Sequence, residues 1–113
     1  MILCEEDFRL GGRLLAESHE IDGFPARDWL ETAEAELESF SDCRVLRRTT
    51  VQGVYDGGTY AAIERVNDHV KAPPSHEPRQ RLWKIVAKRA VLAAGAIERG
   101  IVFGDNDRPG IML

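Results

Sequence analysis

A chain of 113 residues, 43% of them hydrophobic, is one domain's worth of sequence or part of a larger domain, with apolar material for a modest core. Fifteen basic and nineteen acidic residues leave a formal charge of −4 without basic clustering, which excludes a nucleic-acid footprint. With no apolar run of about 18 residues and no basic, then apolar, leader, no membrane contact is expected and a cytoplasmic protein is the default reading.

Residues 1–4 read as a short apolar strand. A buried parallel strand needs a partner strand and a crossover helix, so the chain is expected to begin inside a domain whose first βα unit lies upstream. Glu5, Glu6 and Asp7 follow. An acid ending the second strand of a dinucleotide fold hydrogen-bonds the ribose hydroxyls, but three acids also suit a plain exit from a strand into solvent. Gly11 and Gly12 permit positive φ and close backbone approach, as a turn beside a ligand requires and as any tight loop also uses. Arg9 and Arg13 are phosphate candidates or solvated surface cations.

Residues 16–24 are polar and irregular. From 25 to 40 the pattern turns helical: Trp29 or Leu30, Ala33, Leu37 and Phe40 recur at spacings of three and four. Pro25 and Asp28 suit the helix start. Glu31, Glu34, Glu36 and Glu38 form an acidic solvent face, and Trp29 is expected in the core.

A strand is predicted from Cys43 to Leu46, then three more over 49–55, 60–66 and 81–86. The first two of these three are joined by Asp56, Gly57, Gly58 and Thr59, a hairpin signal. Pro73, Pro74 and Pro78 cannot pair in a sheet, so 71–78 should be an exposed loop within an antiparallel meander spanning 49–86. Residues 89–94 and the small residues Ala94, Gly95 and Ala96 read as a strand buried on both faces, with a buried helix as the competing reading. After Gly95 the chain is turn-rich, and residues 111–113 begin a further apolar element. His19, His69 and His76, like Cys4 and Cys43, lack metal-ligand spacing, and no G-x-S-x-G nucleophile elbow is present.

The order strand and acid, Gly-Gly, helix, strand, meander, then a strand ending Ala-Ala-Gly-Ala resembles the dinucleotide-binding domain of flavoprotein reductases. Four stretches carry a closer resemblance: ILCEEDFRLGGRL (2–14), TTVQGVYDGGTY (49–60), RQRLWKIVAKRAVLAAGAIER (79–99) and NDRPGIML (106–113). In these the chain resembles the α subunit of heterotetrameric sarcosine oxidases. The resemblance implies an α/β fold: a partial Rossmann-like domain of the FAD/NAD-linked reductase type, with an inserted three-stranded antiparallel β-meander and one main helix, filling residues 1–113.

It implies a flavoenzyme complex that oxidatively demethylates sarcosine, passing a one-carbon unit to tetrahydrofolate and electrons to oxygen. NAD belongs to the α subunit in that family, while FAD and FMN belong to the β subunit and its interface with α, so no catalytic residue is expected here. By position, Glu5 and Glu6 match the ribose-binding acid and its neighbour. Gly11, Gly12 and Arg13 match the loop beside the cofactor, and Ala94, Gly95 and Ala96 the strand end passing over it. The G-x-G-x-x-G loop is expected just before residue 1, and Gly100 stands where the family pattern has proline. Alone, the segment is expected to bind cofactor weakly, to lack activity, and to self-associate through strand edges. Two other readings stay open: a structural module packing on partner subunits, and the same domain of a related amine or opine dehydrogenase.

Overall fold

The computed structural model describes residues 1–96, 100 and 102–110. Two expectations fall elsewhere: the apolar element at 111–113, and residues 97–99 of the resembling stretch, lie outside the described residues.

Strand β1 (Ile2–Cys4) pairs in parallel with β4 (Arg44–Leu46), setting Ile2 opposite Arg44, Leu3 opposite Val45 and Cys4 opposite Leu46. Parallel neighbours need a crossover, and helix α1 (Ala26–Ser39) supplies it, so β1, α1 and β4 form one βαβ unit. The helix buries Ala26 and half-buries Leu30, Ala33 and Leu37, a stripe at spacings of four, three and four that packs towards β4. Trp29 and Phe40, expected in that stripe, are 43% and 49% exposed. Trp29 lies one position before Leu30, about 100° round the helix, and Phe40 is the extended C-cap (φ −82°, ψ 117°) beyond the last helical residue, so neither joins the stripe facing β4. Arg47, just after β4, is held by Glu34 and by Glu38 (2.8 Å), one turn apart on α1.

Residues 16–24, expected to be irregular, contain a small hairpin of β2 (Glu20–Ile21) and β3 (Phe24–Pro25). Asp22 and Gly23 take φ of 53° and 80°, the two positive values of a type I′ turn. The hairpin leads directly into α1, with the Ala26 N–H donating to the His19 carbonyl (2.8 Å).

The second sheet is an antiparallel meander of β5 (Thr49–Tyr55), β6 (Thr59–Glu64) and β7 (Arg81–Val86). Asp56 to Gly58 close its first hairpin with φ of 67° at Gly57 and 69° at Gly58. A bulge lies between Val51 and Gly53. Asn67 organises the long 65–80 connection: its side-chain amide donates to Glu77 (2.9 Å) and to the Pro78 carbonyl (3.2 Å). The two sheets meet where Thr49 and Ala62 are buried, and the Arg44 guanidinium lies 5.4 Å from the Trp83 ring centre.

The run expected as a buried strand over 89–94 forms no strand here, and Val91 and Leu92 are each 92% exposed. Beyond the Ala87 N–H, which donates to the Gly58 carbonyl (2.9 Å), residues 88–96 have no hydrogen bond to another described residue. A strand is stable only with a neighbour to complete its ladder. None of the three sheets among the described residues pairs with it.

Candidate dinucleotide site

The end of β1 is gripped by backbone hydrogen bonds on both sides of its acidic turn. The Glu5 N–H donates to the Leu46 carbonyl (2.9 Å), and the Glu5 carbonyl accepts from the Thr49 N–H (2.7 Å). The Asp7 carbonyl accepts from the Arg48 N–H (2.9 Å). The half-buried Glu5 turns back on its own loop, one carboxylate oxygen accepting the Asp7 N–H (2.9 Å). The Glu6 side chain is exposed, and its carbonyl accepts from the Arg65 guanidinium (2.6 Å).

Beside this turn lies an open cleft of about 320 Å3, lined by Glu6, Asp7, Phe8, Arg48, Arg65 and His69 among others. The Arg9 and Arg48 guanidinia each lie 5.4 Å from the Phe8 ring centre, within cation–π range. Arg48 holds a φ of 55°, which lets its N–H and carbonyl face opposite segments: the carbonyl accepts the Arg65 N–H (2.9 Å). Residue-level patterns did not reveal Arg48 or Arg65 as part of this region. Arg65 is 59 positions from the carbonyl it binds, and no local spacing encodes that reach.

Gly11, Gly12 and Arg13 stand apart from the cleft, against the helix. Gly11 has a φ of 120°, and a Cβ there would fall 2.4 Å from Leu30 Cδ2. Its smallness therefore serves packing on α1. Gly12 opens a 3-10 turn (Gly12–Leu15) with free space where a Cβ would stand. Arg13 is spent on Glu17 (2.6 Å), which also meets His19 (2.6 Å). Arg13 first and His19 second hold the Glu17 carboxyl below the usual carboxylate range. Ala94, Gly95 and Ala96 are exposed, with nothing within 4 Å of where a Gly95 side chain would begin.

Of the eight sequence-predicted positions, then, Glu5 and Glu6 share one turn, Gly11 to Arg13 share another, and Ala94 to Ala96 join neither by a hydrogen bond. Burial pushes the Cys4 thiol up, as suits an unreactive residue on β1. Among the described residues, no three His, Cys, Asp or Glu side chains gather as a metal site, and no helix is long and apolar enough to cross a membrane.

No protein-family profile matches the chain. It is 50% identical over all 113 residues to the sarcosine oxidase subunit alpha of Rhizobium meliloti (strain 1021). To the proteins of that name from Corynebacterium sp. strains P-1 and U-96 it is 43% and 42% identical, again over its whole length. The resemblance read from the four stretches thus extends from one end of the chain to the other, and the chain spans 11–12% of the length of these relatives.

Proposed function

We propose that this chain is an interior portion of a sarcosine oxidase α subunit and forms part of its NAD-binding domain. The whole-length similarity supports the family assignment, and the position of Glu5 carries the dinucleotide reading. Glu5 directly follows β1 at the carboxyl end of a parallel βαβ unit, where doubly wound folds place the acid that accepts the ribose hydroxyls. One Glu5 oxygen is anchored to Asp7 N–H, and the other has no protein donor among the described residues. The residues fit this end of NAD; the pyrophosphate would be held elsewhere, since Arg13 is tied to Glu17 and Gly11 to Leu30.

In the strand order 3-2-1-4, β1 and β4 take positions 2 and 3. Residues 89–94 then take position 4, whose ladder partner is strand 1. This assignment accounts for the exposure of Val91 and Leu92, because neither β1 nor β4 is that partner. On this reading NAD is the cofactor of this subunit, FAD and FMN serve the assembled complex, and the other subunits are its partners. The complex demethylates sarcosine oxidatively, delivers the one-carbon unit to tetrahydrofolate and works in the cytoplasm.

The test is NAD affinity of the full-length subunit assembled with its partners. Glu5→Ala is expected to weaken binding about tenfold or more, as loss of a hydrogen bond to a charged group does. Glu31→Ala, on the exposed face of α1, should leave it unchanged. Equal affinity in wild type and Glu5→Ala sinks the reading.

A specific observation also favours subunit packing by the meander. Tyr55, Leu82 and Val86 share one face of the meander by its register and are 61–70% exposed, an apolar density unusual for a surface facing only water. Charge placed at Leu82 and Val86 would then release a partner subunit while NAD binding persisted. Retention of every subunit by that variant argues against the packing role.

A further inference from the structure

The peptide between Glu6 and Asp7 is contacted on both of its polar edges. Its carbonyl, Glu6 O, accepts a hydrogen bond from Arg65 Nη2 at 2.6 Å. Its N–H, that of Asp7, donates to Glu5 Oε1 at 2.9 Å. In a planar trans peptide these two groups point in opposite directions, so the guanidinium and the carboxylate are joined through one rigid unit. We propose that Arg65 is the positioning residue that aims the Glu5 carboxylate at a dinucleotide ribose, an inference that rests on the reading of Glu5 given above.

The physical case has two parts. A cation at the carbonyl polarises the peptide and strengthens its N–H as a donor to the carboxylate, since bonded groups in a chain reinforce one another. Arg65 is also fixed at its own base: its N–H donates to Arg48 O (2.9 Å), while the Arg48 N–H donates to Asp7 O (2.9 Å). The exit of β6 therefore brackets the acidic turn from backbone and side chain together. Without the Arg65 side chain the Glu6 carbonyl faces water, and the peptide that carries the Asp7 N–H is held only by the backbone bonds flanking it, so the Asp7–Glu5 bond loses its polarisation and its fixed direction.

The discriminating measurement compares NAD with its analogue lacking the adenosine 2′-hydroxyl, in the full-length subunit assembled with its partners. Wild type is expected to prefer NAD about tenfold or more, the effect of one hydrogen bond to a charged group. Arg65→Met should bring that ratio close to one while the analogue's own Kd changes little. Arg65→Lys, which keeps a charged donor, should recover most of the preference.

A merely structural role would weaken both ligands by the same factor and leave the ratio intact. A ratio that survives Arg65→Met, or that Arg65→Lys does not recover, overturns the proposal. Equal or absent binding of the two ligands by wild type overturns the ribose reading itself, and Glu5→Ala in the same series separates the two failures. Where Arg65→Met yields no folded protein, Arg65→Gln, too short to reach Glu6 O, gives the same comparison.

Discussion

Leu30 of α1 fills the space that a side chain at Gly11 would need, its Cδ2 lying 2.4 Å from that Cβ position. The turn after β1 packs against the helix at a residue with no side chain, whose φ of 120° favours glycine. Gly11→Ala is expected to cost about 1–3 kcal/mol from the backbone conformation alone, with displacement of Leu30 in addition. Thermal unfolding of wild type and variant measures it. An unchanged midpoint would show that Leu30 and the backbone yield freely.

The two glycines of the meander hairpin should respond differently to the same substitution. Gly57 has a φ of 67° and open space around its Cβ position, so Gly57→Ala pays only for the left-handed backbone, about 1–2 kcal/mol. At Gly58 the new Cβ would stand 2.4 Å from the Ala87 carbonyl oxygen, a backbone atom. That same pair of residues shares the hydrogen bond from Ala87 N–H to Gly58 O. Gly58→Ala should therefore lower the unfolding midpoint clearly more than Gly57→Ala, and equal shifts would contradict the geometry.

Glu17 sits between two cationic partners, and its pKa should report them in order. Arg13 is the larger cause of its lowered value and His19 the lesser, so Arg13→Ala should raise the Glu17 pKa more than His19→Ala does. Carboxyl-carbon NMR titration reads both. Because the folded value lies below the unfolded one, the stabilisation is complete above the ordinary carboxylate range and is lost as pH falls through the folded value. The two cationic partners are 80% and 60% exposed around a half-buried Glu17, so the change in midpoint between pH 6 and pH 3 from this cluster should be small.

Leu92 tests whether the exposed apolar run becomes a buried strand in the full-length subunit. On the proposed strand order, Leu92→Lys buries a charge beside strand 1 and should destabilise by about 3 kcal/mol or more. In the conformation described here Leu92 is 92% exposed, and the same change would cost almost nothing. Differential unfolding of the full-length subunit separates the two, and an unchanged midpoint removes residues 89–94 from the sheet.

The sequence by itself determined the elements whose causes lie within a few positions. Leu30, Ala33 and Leu37 repeat at helical spacing, and α1 runs over Ala26–Ser39 against an expected 25–40. Asp56, Gly57 and Gly58 close the hairpin because glycine accepts positive φ cheaply, and alternating residues on either side complete the meander. Asp22 and Gly23 carry the same local turn signal, yet residues 16–24 read as irregular, because strands of two residues each are too short to show alternation.

Only the tertiary structure decided what each candidate site residue touches. Gly11 belongs to Leu30 and Arg13 to Glu17, while Glu5 is tied through one peptide to Arg65, far along the chain. Residues 89–94 have the composition of a buried strand and no strand beside them. Composition fixes a preference for burial, but a ladder of backbone hydrogen bonds exists only where a second strand presents its edge.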